Sequence, residues 1–445
     1  MSDLRKIYLK SYNDHKYELD ARISEGIEKH KKGSCKVRFL KSDGTPFVNE
    51  PIKITQKSHD FKYGANIFML DEFESVDDNA QYRQMFKEYF NLATIPFYWD
   101  TLEPIEGSPR YAKDSPKIYR RPSPDLCVEY CEENNIDAKL HCLVYEGFIP
   151  DWLKKMSLDE VKKKYYERME QISEKYVGKM VEFEVINEIL QAHRWDKRGR
   201  SPLTKERDVE EWAFHTARKY FPQETLVINE GTHLTDIGTL SYRAPYFLQC
   251  ENLLLKGASI DKIGIQHHIF AEAVESDPKY RKDAPYTIER ADVYLTLKGV
   301  DTLAALGLPL EITEVTIPTF GDSEDDEELQ AQMLKIFYSV WFSHPSIDTI
   351  VYWNTVDGYC HTGTDWNENN CRGGLFHHDL TPKKSALMLK KLFDEEWHTD
   401  LELITDADGY IEFKGFFGDY SALVNGRSYK FGLHKNQINV TEISI

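Results

Sequence analysis

Two glutamates occupy positions that a buried strand would ordinarily refuse. Glu188 directly follows VEFEVIN, Val181 to Asn187, and Glu314 directly follows PLEIT, Pro309 to Thr313. Runs this rich in Val, Ile, Leu and Phe read as parallel strands buried on both faces, whose interiors reject charge. A carboxylate at the end of each therefore marks the point where the chain leaves the core and meets something else. Two carboxylates held about 5 to 5.5 Å apart can cleave a glycosidic bond with retention: one attacks the anomeric carbon, and the other first protonates the leaving oxygen and then deprotonates water. Two solvated loop acids would be the bland alternative, but solvent exposure gives no reason for each to close an apolar strand.

The other apolar runs end in the same manner. His141 follows DAKL, Asn229-Glu230 follow TLVI, Gln266 and His268 close KIGIQHH, and Trp353 with Asp357 follow TIVY. The Asn187 amide, beside Glu188, suits a hydrogen bond to a sugar hydroxyl next to the reacting carbon, a contact that strengthens as oxocarbenium character develops. His268 has two readings, an orienting partner for Glu314 or a satisfied structural histidine, and the sequence leaves both open. The doublets His267-His268 and His377-His378 lack a Cys or carboxylate at ligand spacing, so no metal site is expected, and the two-carboxylate chemistry needs no cofactor.

The elements that would position these groups are eight short apolar runs: FKYGANI, LATIP, DAKLHCL, VEFEVIN, TLVIN, KIGIQH, PLEIT and TIVYW. They alternate with polar stretches of helical period such as SLDEVKKKYYERMEQISEKYV. That rhythm predicts an α/β protein, a (β/α)8 TIM barrel, whose chemistry gathers at the C-terminal ends of the strands. The expected division is a helical segment at 1–33, accessory strands at 34–60, the barrel at 61–397 and further accessory strands at 398–445. CKVRFL and PIKITQKS read as a β-hairpin. Each terminal group holds too few strands to fold alone, so the two are expected to combine into one small β-sandwich. Without an exposed aromatic row, its expected role is structural support.

A formal charge of −18 disfavours nucleic acid and anionic membranes as partners and leaves a neutral carbohydrate as the natural expectation. The seven cysteines include no CxxC pair, so free thiols are expected, Cys360 and Cys371 among them. No apolar run suits a signal peptide or a membrane span, which predicts a cytoplasmic protein. Oligomeric state is not readable.

Several segments resemble glycoside hydrolase family 10, the β-1,4-xylanase group, over roughly Phe61 to Phe393. FEVINE, Phe183 to Glu188, is similar to the family's WDVVNE segment, and EITEV, Glu311 to Val315, to its ITELD segment. HCLVYEGFIPDWL, His141 to Leu153, resembles HTLVWHSQLPDWL; IGIQHH, Ile263 to His268, resembles IGLQSH; and GGLFHHDLTPKKSA, Gly373 to Ala386, resembles LLFDENYNPKPAY. The resemblance implies Glu188 as acid/base and Glu314 as nucleophile, with His141, Asn187, Gln266, His268 and Trp353 around the sugar at the cleavage point. It also has gaps. Where the family's second strand carries VTPENEMKW, whose Glu, Asn and Lys grip glycone sugars, this chain reads ATIPFYWDTLEP, Ala93 to Pro104, with no Glu, Asn or Lys before Trp99. Tyr98 and Trp99 are expected to narrow that side, favouring short or decorated xylo-oligosaccharides or small β-glycosides over polymeric xylan. Tyr145 and Glu146 replace a Trp-His pair, and Trp366 or His361 is expected to fill the place of a missing second tryptophan. Two competing readings are a metal-dependent sugar isomerase using Glu188, Glu230, His268 and Glu314, and a sugar-binding protein without catalysis.

Overall fold

The computed structural model describes residues 3–191, 199–271, 284–321, 323–363 and 367–445. Two strands, β1 (Lys32–Leu40) and β2 (Pro51–Gln56), precede the barrel. The barrel strands are β3 (Lys62–Asn66), β4 (Leu92–Pro96), β5 (Asp137–His141), β6 (Glu182–Asn187), β7 (Thr225–Glu230), β8 (Lys262–His268), β9 (Leu310–Thr316) and β10 (Ile347–Tyr352). Neighbours pair in parallel and β10 returns to β3, closing a (β/α)8 barrel at the eight runs read from the sequence. Strands β4, β6, β8 and β9 are buried at every position, which is why their sequences do not alternate cleanly.

Helices cover the barrel, and the longer ones carry explicit start signals. Leu158–Tyr176 opens with a Ser157–Glu160 capping box and Glu324–Ser343 with a Ser323–Asp326 box. The N-terminal segment breaks into three helices, Asp3–Tyr8, Lys10–Asp14 and Lys16–His30. The third lies so close to the end of Glu324–Ser343 that a Cβ on Gly26 would stand 2.6 Å from the Ser343 carbonyl oxygen. No helix among the described residues is long and apolar enough to cross a membrane.

After the barrel come β11 (Asp400–Ile404), β12 (Tyr410–Phe416), β13 (Gly418–Val424), β14 (Arg427–Leu433) and β15 (Val440–Ser444). They combine with the N-terminal strands into two sheets, β12-β1-β15 and β11-β2-β13-β14. Val37 and Phe39 from one sheet face Ile52, Ile54, Tyr420 and Phe431 from the other in a separate small core, a β-sandwich built from both ends of the chain. The expected hairpin is corrected here: β1 and β2 belong to opposite sheets. Each has an alternating apolar face, and both faces can be buried only if the strands stand across the core from one another, with C-terminal strands as edge partners.

Inside the barrel, below its mouth, lies a ring of charge. The Lys139 ammonium bonds Glu311 and sits 3.7 Å from Glu184 and 3.9 Å from Glu182. Lys262 joins Glu182 to Asp348, the latter at 2.8 Å. Lys139 and Glu311 are almost wholly excluded from solvent.

Candidate active site

Both acidic strands depart from regular pairing just before their carboxylates. Against β7, strand β6 carries one extra residue between Glu184 and Ile186; against β8, strand β9 carries one between Ile312 and Glu314. A bulge resets the in–out alternation. Thus Glu182 and Glu184 meet the interior charge ring while Asn187 still turns to Asn229 at the mouth, and Glu311 faces inward below while Glu314 does so above. Glu188 then leaves the strand at φ 53°, a left-handed conformation that is strained for a non-glycine residue.

The carboxylates share one donor. Gln266 Nε2 donates to Glu188 Oε1 at 2.9 Å and to Glu314 Oε1 at 3.0 Å. Tyr145 donates its hydroxyl to Glu188 Oε2 at 2.6 Å. Glu314 Oε1 also accepts from Asn229 Nδ2 at 3.0 Å, and the same amide donates to Asn187 Oδ1 at 3.0 Å. Asn229 is fixed in turn by the Thr313 hydroxyl, which donates to its Oδ1 at 2.6 Å. His268 Nε2 lies 3.3 Å from Glu314 Oε2 and its Nδ1 lies 2.9 Å from the Thr316 hydroxyl. Burial lowers the His268 pKa to about 4, so the ring is neutral; Nε2–H then donates to Glu314 while Nδ1 accepts from Thr316.

Burial raises the Glu314 carboxyl well above the usual carboxylate range, His141 opposes that rise, and the Glu188 charge adds to it. The His141 ring is held by Glu184, Oε1 to Nδ1 at 2.9 Å. Burial disfavours its charge, but Glu184 outweighs burial and the net shift is upward. The opposite edge, Nε2, meets the Tyr98 hydroxyl at 3.1 Å. Tyr98, Phe68, Tyr145 and Trp353 form a compact aromatic wall beside these groups, Trp353 crossing Phe68 and His141 edge-on at 5.3 Å each.

Of the residues expected at the site, Glu188, Glu314, His141, Asn187, Gln266, His268, Tyr98 and Trp353 are brought together. Trp99 is not. Its ring packs on Trp152, Tyr165 and Arg168 in the layer outside the barrel, and its indole N–H donates to Glu103. Neighbouring residues leaving a strand point opposite ways, so only one of Tyr98 and Trp99 faces the mouth. Trp366 lies outside the described residues, whereas His361 reaches Phe148 at the rim, 6.3 Å between ring centres. Glu230 points to backbone: Leu190 N–H and Gly231 N–H each donate to it at 2.9 Å. Burial pushes its carboxyl up to about 8. A Cβ on Gly231 would crowd the Gln191 side-chain nitrogen and stand 3.0 Å from Gln266 Oε1, so a larger residue there would push these amides aside.

Of the set imagined for an isomerase, Glu188, His268 and Glu314 meet at the mouth, while Glu230 is engaged with backbone amides. Among the described residues, His141, Cys142 and Glu184 are the side chains close enough to share a cation, and His141 and Glu184 already bond each other. Cys360 is a buried thiol, its Sγ 3.7 Å from the Val356 carbonyl oxygen. Sequence reasoning passed over Glu184 and Tyr145 as site residues. The first was hidden in an apolar-looking strand, and the second was noted only as a replacement.

Eight parallel strands presenting acids, amides and aromatic rings at their C-terminal ends define a TIM-barrel protein with a carbohydrate-type mouth. The family model of glycosyl hydrolase family 10 matches residues 57–391, and the chain belongs to that family of xylanase-like glycoside hydrolases. It is 24% identical over 426 residues to the anti-sigma-I factor RsgI6 of Acetivibrio thermocellus, covering 93% of this chain and 48% of that protein. It is 24% identical over 410 residues to endo-1,4-beta-xylanase 1 of Arabidopsis thaliana, covering 90% and 37% respectively. The chain thus spans about half or less of these curated relatives. Among solved structures, xylanase 10B from Thermotoga petrophila RKU-1 in complex with xylobiose superposes with a TM-score of 0.58 at 19% identity, covering 76% of this chain and 95% of that one.

Proposed function

We propose that this chain is a retaining β-glycoside hydrolase acting by double displacement on short or decorated β-1,4-linked xylo-oligosaccharides or small β-glycosides. The observation that carries the reading is the shared Gln266 amide. With bonds of 2.9 and 3.0 Å from one nitrogen, Glu188 Oε1 and Glu314 Oε1 can be no farther apart than those two bonds laid end to end. Facing oxygens this close support a retaining pair, since an inverting pair must leave room for a water between its carboxyl groups.

Glu314 is the nucleophile: its two oxygens are aimed by Asn229, Gln266 and His268, each of which donates to the charged form. Glu188 is the acid and then the base. It is the less buried of the two and is steadied by the Tyr145 hydroxyl. Asn187 and His141 present polar edges to the sugar between them, and Trp353 offers an apolar face. Aromatic bulk where the resembled family has a polar glycone grip favours short substrates; kcat/KM rising steeply with xylo-oligosaccharide length would refute that part.

The role of Glu188 is tested by leaving group. In Glu188→Ala, an aryl glycoside with a good leaving group keeps most of its first-step rate, whereas a poor leaving group loses orders of magnitude, because only the latter needs protonation. Equal losses on both would remove Glu188 from the role.

A further inference from the structure

The loop between β4 and β5 brings positive charge to the mouth without supplying a counterion. Arg120 and Arg121 are adjacent, and Arg120 is held at φ 60°. The Arg120 guanidinium, 5% exposed, donates to Asn354 Oδ1 at 3.0 Å and to the Tyr359 carbonyl oxygen. The Arg121 guanidinium carbon stands over the Tyr98 ring, 4.0 Å from its centre, and 5.4 Å from that of Phe68; one of its nitrogens donates to the Arg120 carbonyl oxygen. Among the described residues the bonds donated by these two guanidinium groups run to an amide oxygen and to carbonyl oxygens, and the Nε–H of each is buried without a partner. The charged or titratable groups whose fields reach Arg121 are Tyr98, Arg120, Asp100 and Glu368, and Glu368 is already bonded to the Asn354 amide.

Burying the Arg120 guanidinium without a counterion is costly, and a second, partly buried guanidinium beside it adds to that cost, unless the missing anion arrives with a ligand. The site lies on the wall that touches the sugar: Tyr98, on which Arg121 rests, bonds His141. We propose that Arg121, backed by Arg120, reads a carboxylate on the substrate, so that the preferred substrates are β-linked oligosaccharides carrying a uronosyl group on the sugar lying against Tyr98. This rests on the hydrolase reading given above and narrows its substrate class. A planar guanidinium fork matches a carboxylate in bidentate fashion, which favours a uronate over a sulfate ester. The protein's overall charge of −18 would repel such a substrate at long range, so recognition must come from a local cation close to the scissile bond.

The test is calorimetric titration of the full chain carrying Glu314→Gln, with three ligands: xylotriose, xylotriose bearing one glucuronosyl branch, and the same branched compound with its carboxyl reduced to an alcohol. The expected result is that the uronosyl ligand binds about tenfold or more tighter than both neutral ones. That gap should shrink as salt is added, disappear in Arg121→Gln and return in part with Arg121→Lys. Equal binding of the charged and reduced branches would overturn the proposal, as would a gap that survives Arg121→Gln or tighter binding of a sulfated than of a uronosyl trisaccharide. The titration of the Arg121-intact chain decides the matter even if an Arg121 variant fails to fold. Binding is read without turnover, so the two readings fail separately. A chain that prefers the uronosyl ligand yet, with Glu314 intact, hydrolyses no β-glycoside would lose the mechanism and keep this site.

Discussion

The barrel buries two sets of acids and treats them in opposite ways. Near its floor, Glu182 and Glu311 are ion-paired with the ammonium groups of Lys139 and Lys262, while burial and the neighbouring Glu182 raise the Glu311 carboxyl. At its mouth, Glu188 and Glu314 share neutral amide and hydroxyl donors, and no Lys or Arg is paired with either among the described residues. An ion-paired floor is a closed arrangement with little left to react. A pair held by neutral donors, with Glu314 ionised and Glu188 carrying the proton it gives up, keeps its negative charge without a bonded cation until a developing positive charge, such as an oxocarbenium-like sugar carbon, lies between its members.

The largest expected effect separates the two sets by function. Glu314→Ala should lower turnover on the order of 10⁴-fold or more while leaving the melting temperature near that of the unmodified chain, because no covalent intermediate can form. Added azide should restore activity on an activated aryl glycoside. An early melting transition in this variant would show that Glu314 is a structural acid like those on the floor.

The converse substitution belongs to the floor. Lys139→Met removes the cation from Glu311 and Glu184 and should cost about 3 to 5 kcal/mol of stability in urea titration, since it leaves buried carboxylates uncompensated. Unchanged stability would mean that the floor acids are already neutral.

A smaller effect concerns how the mouth is tuned. Tyr145→Phe deletes the hydroxyl that donates to Glu188 and should lower kcat roughly tenfold to hundredfold, the usual worth of a hydrogen bond to a charged group. Poor leaving groups should suffer most. A uniform loss across leaving groups would assign Tyr145 to packing alone.

The smallest is a displacement of the pH profile. Burial raises the Glu314 pKa, and attack requires the ionised form, so the rate should climb with pH through a limb lying above the ordinary carboxylate value of about 4.3. The pKa of His141 is raised, so its charge persists to higher pH than that of a free histidine and helps to hold Glu314 ionised. Replacing it in His141→Gln should move the acid limb to still higher pH. A limb that stays in place would show that the imidazole charge does not reach Glu314.

The contrast between floor and mouth also explains what could be read from the sequence. The eight strands were legible because apolar runs between helical stretches leave few alternatives, and the polar residues closing them were legible because a core strand excludes them. The floor was not: Lys139 inside DAKL and Glu184 inside VEFEVIN look like interruptions until β5, β6 and β9 are brought face to face, and those neighbours lie scores of residues away in the chain. The β1–β2 hairpin failed for the same reason, since the better partners of both strands come from the far end of the chain. Trp99 was misplaced by a single position, within a turn whose direction the pattern does not reveal. The Arg120-Arg121 pair attracted no notice as a sequence feature, because an arginine doublet in a polar loop is ordinarily a solvated one.

Stereochemistry tests the central claim most directly. The intact chain would be mixed with a β-linked xylo-oligosaccharide or aryl β-glycoside that it hydrolyses, and the anomeric proton of the first product followed by NMR before mutarotation. Double displacement through Glu314 predicts that the β-anomer appears first and the α-anomer only later, as the product equilibrates. An α-anomer formed first would contradict the account, because it would require water rather than Glu314 to attack the anomeric carbon.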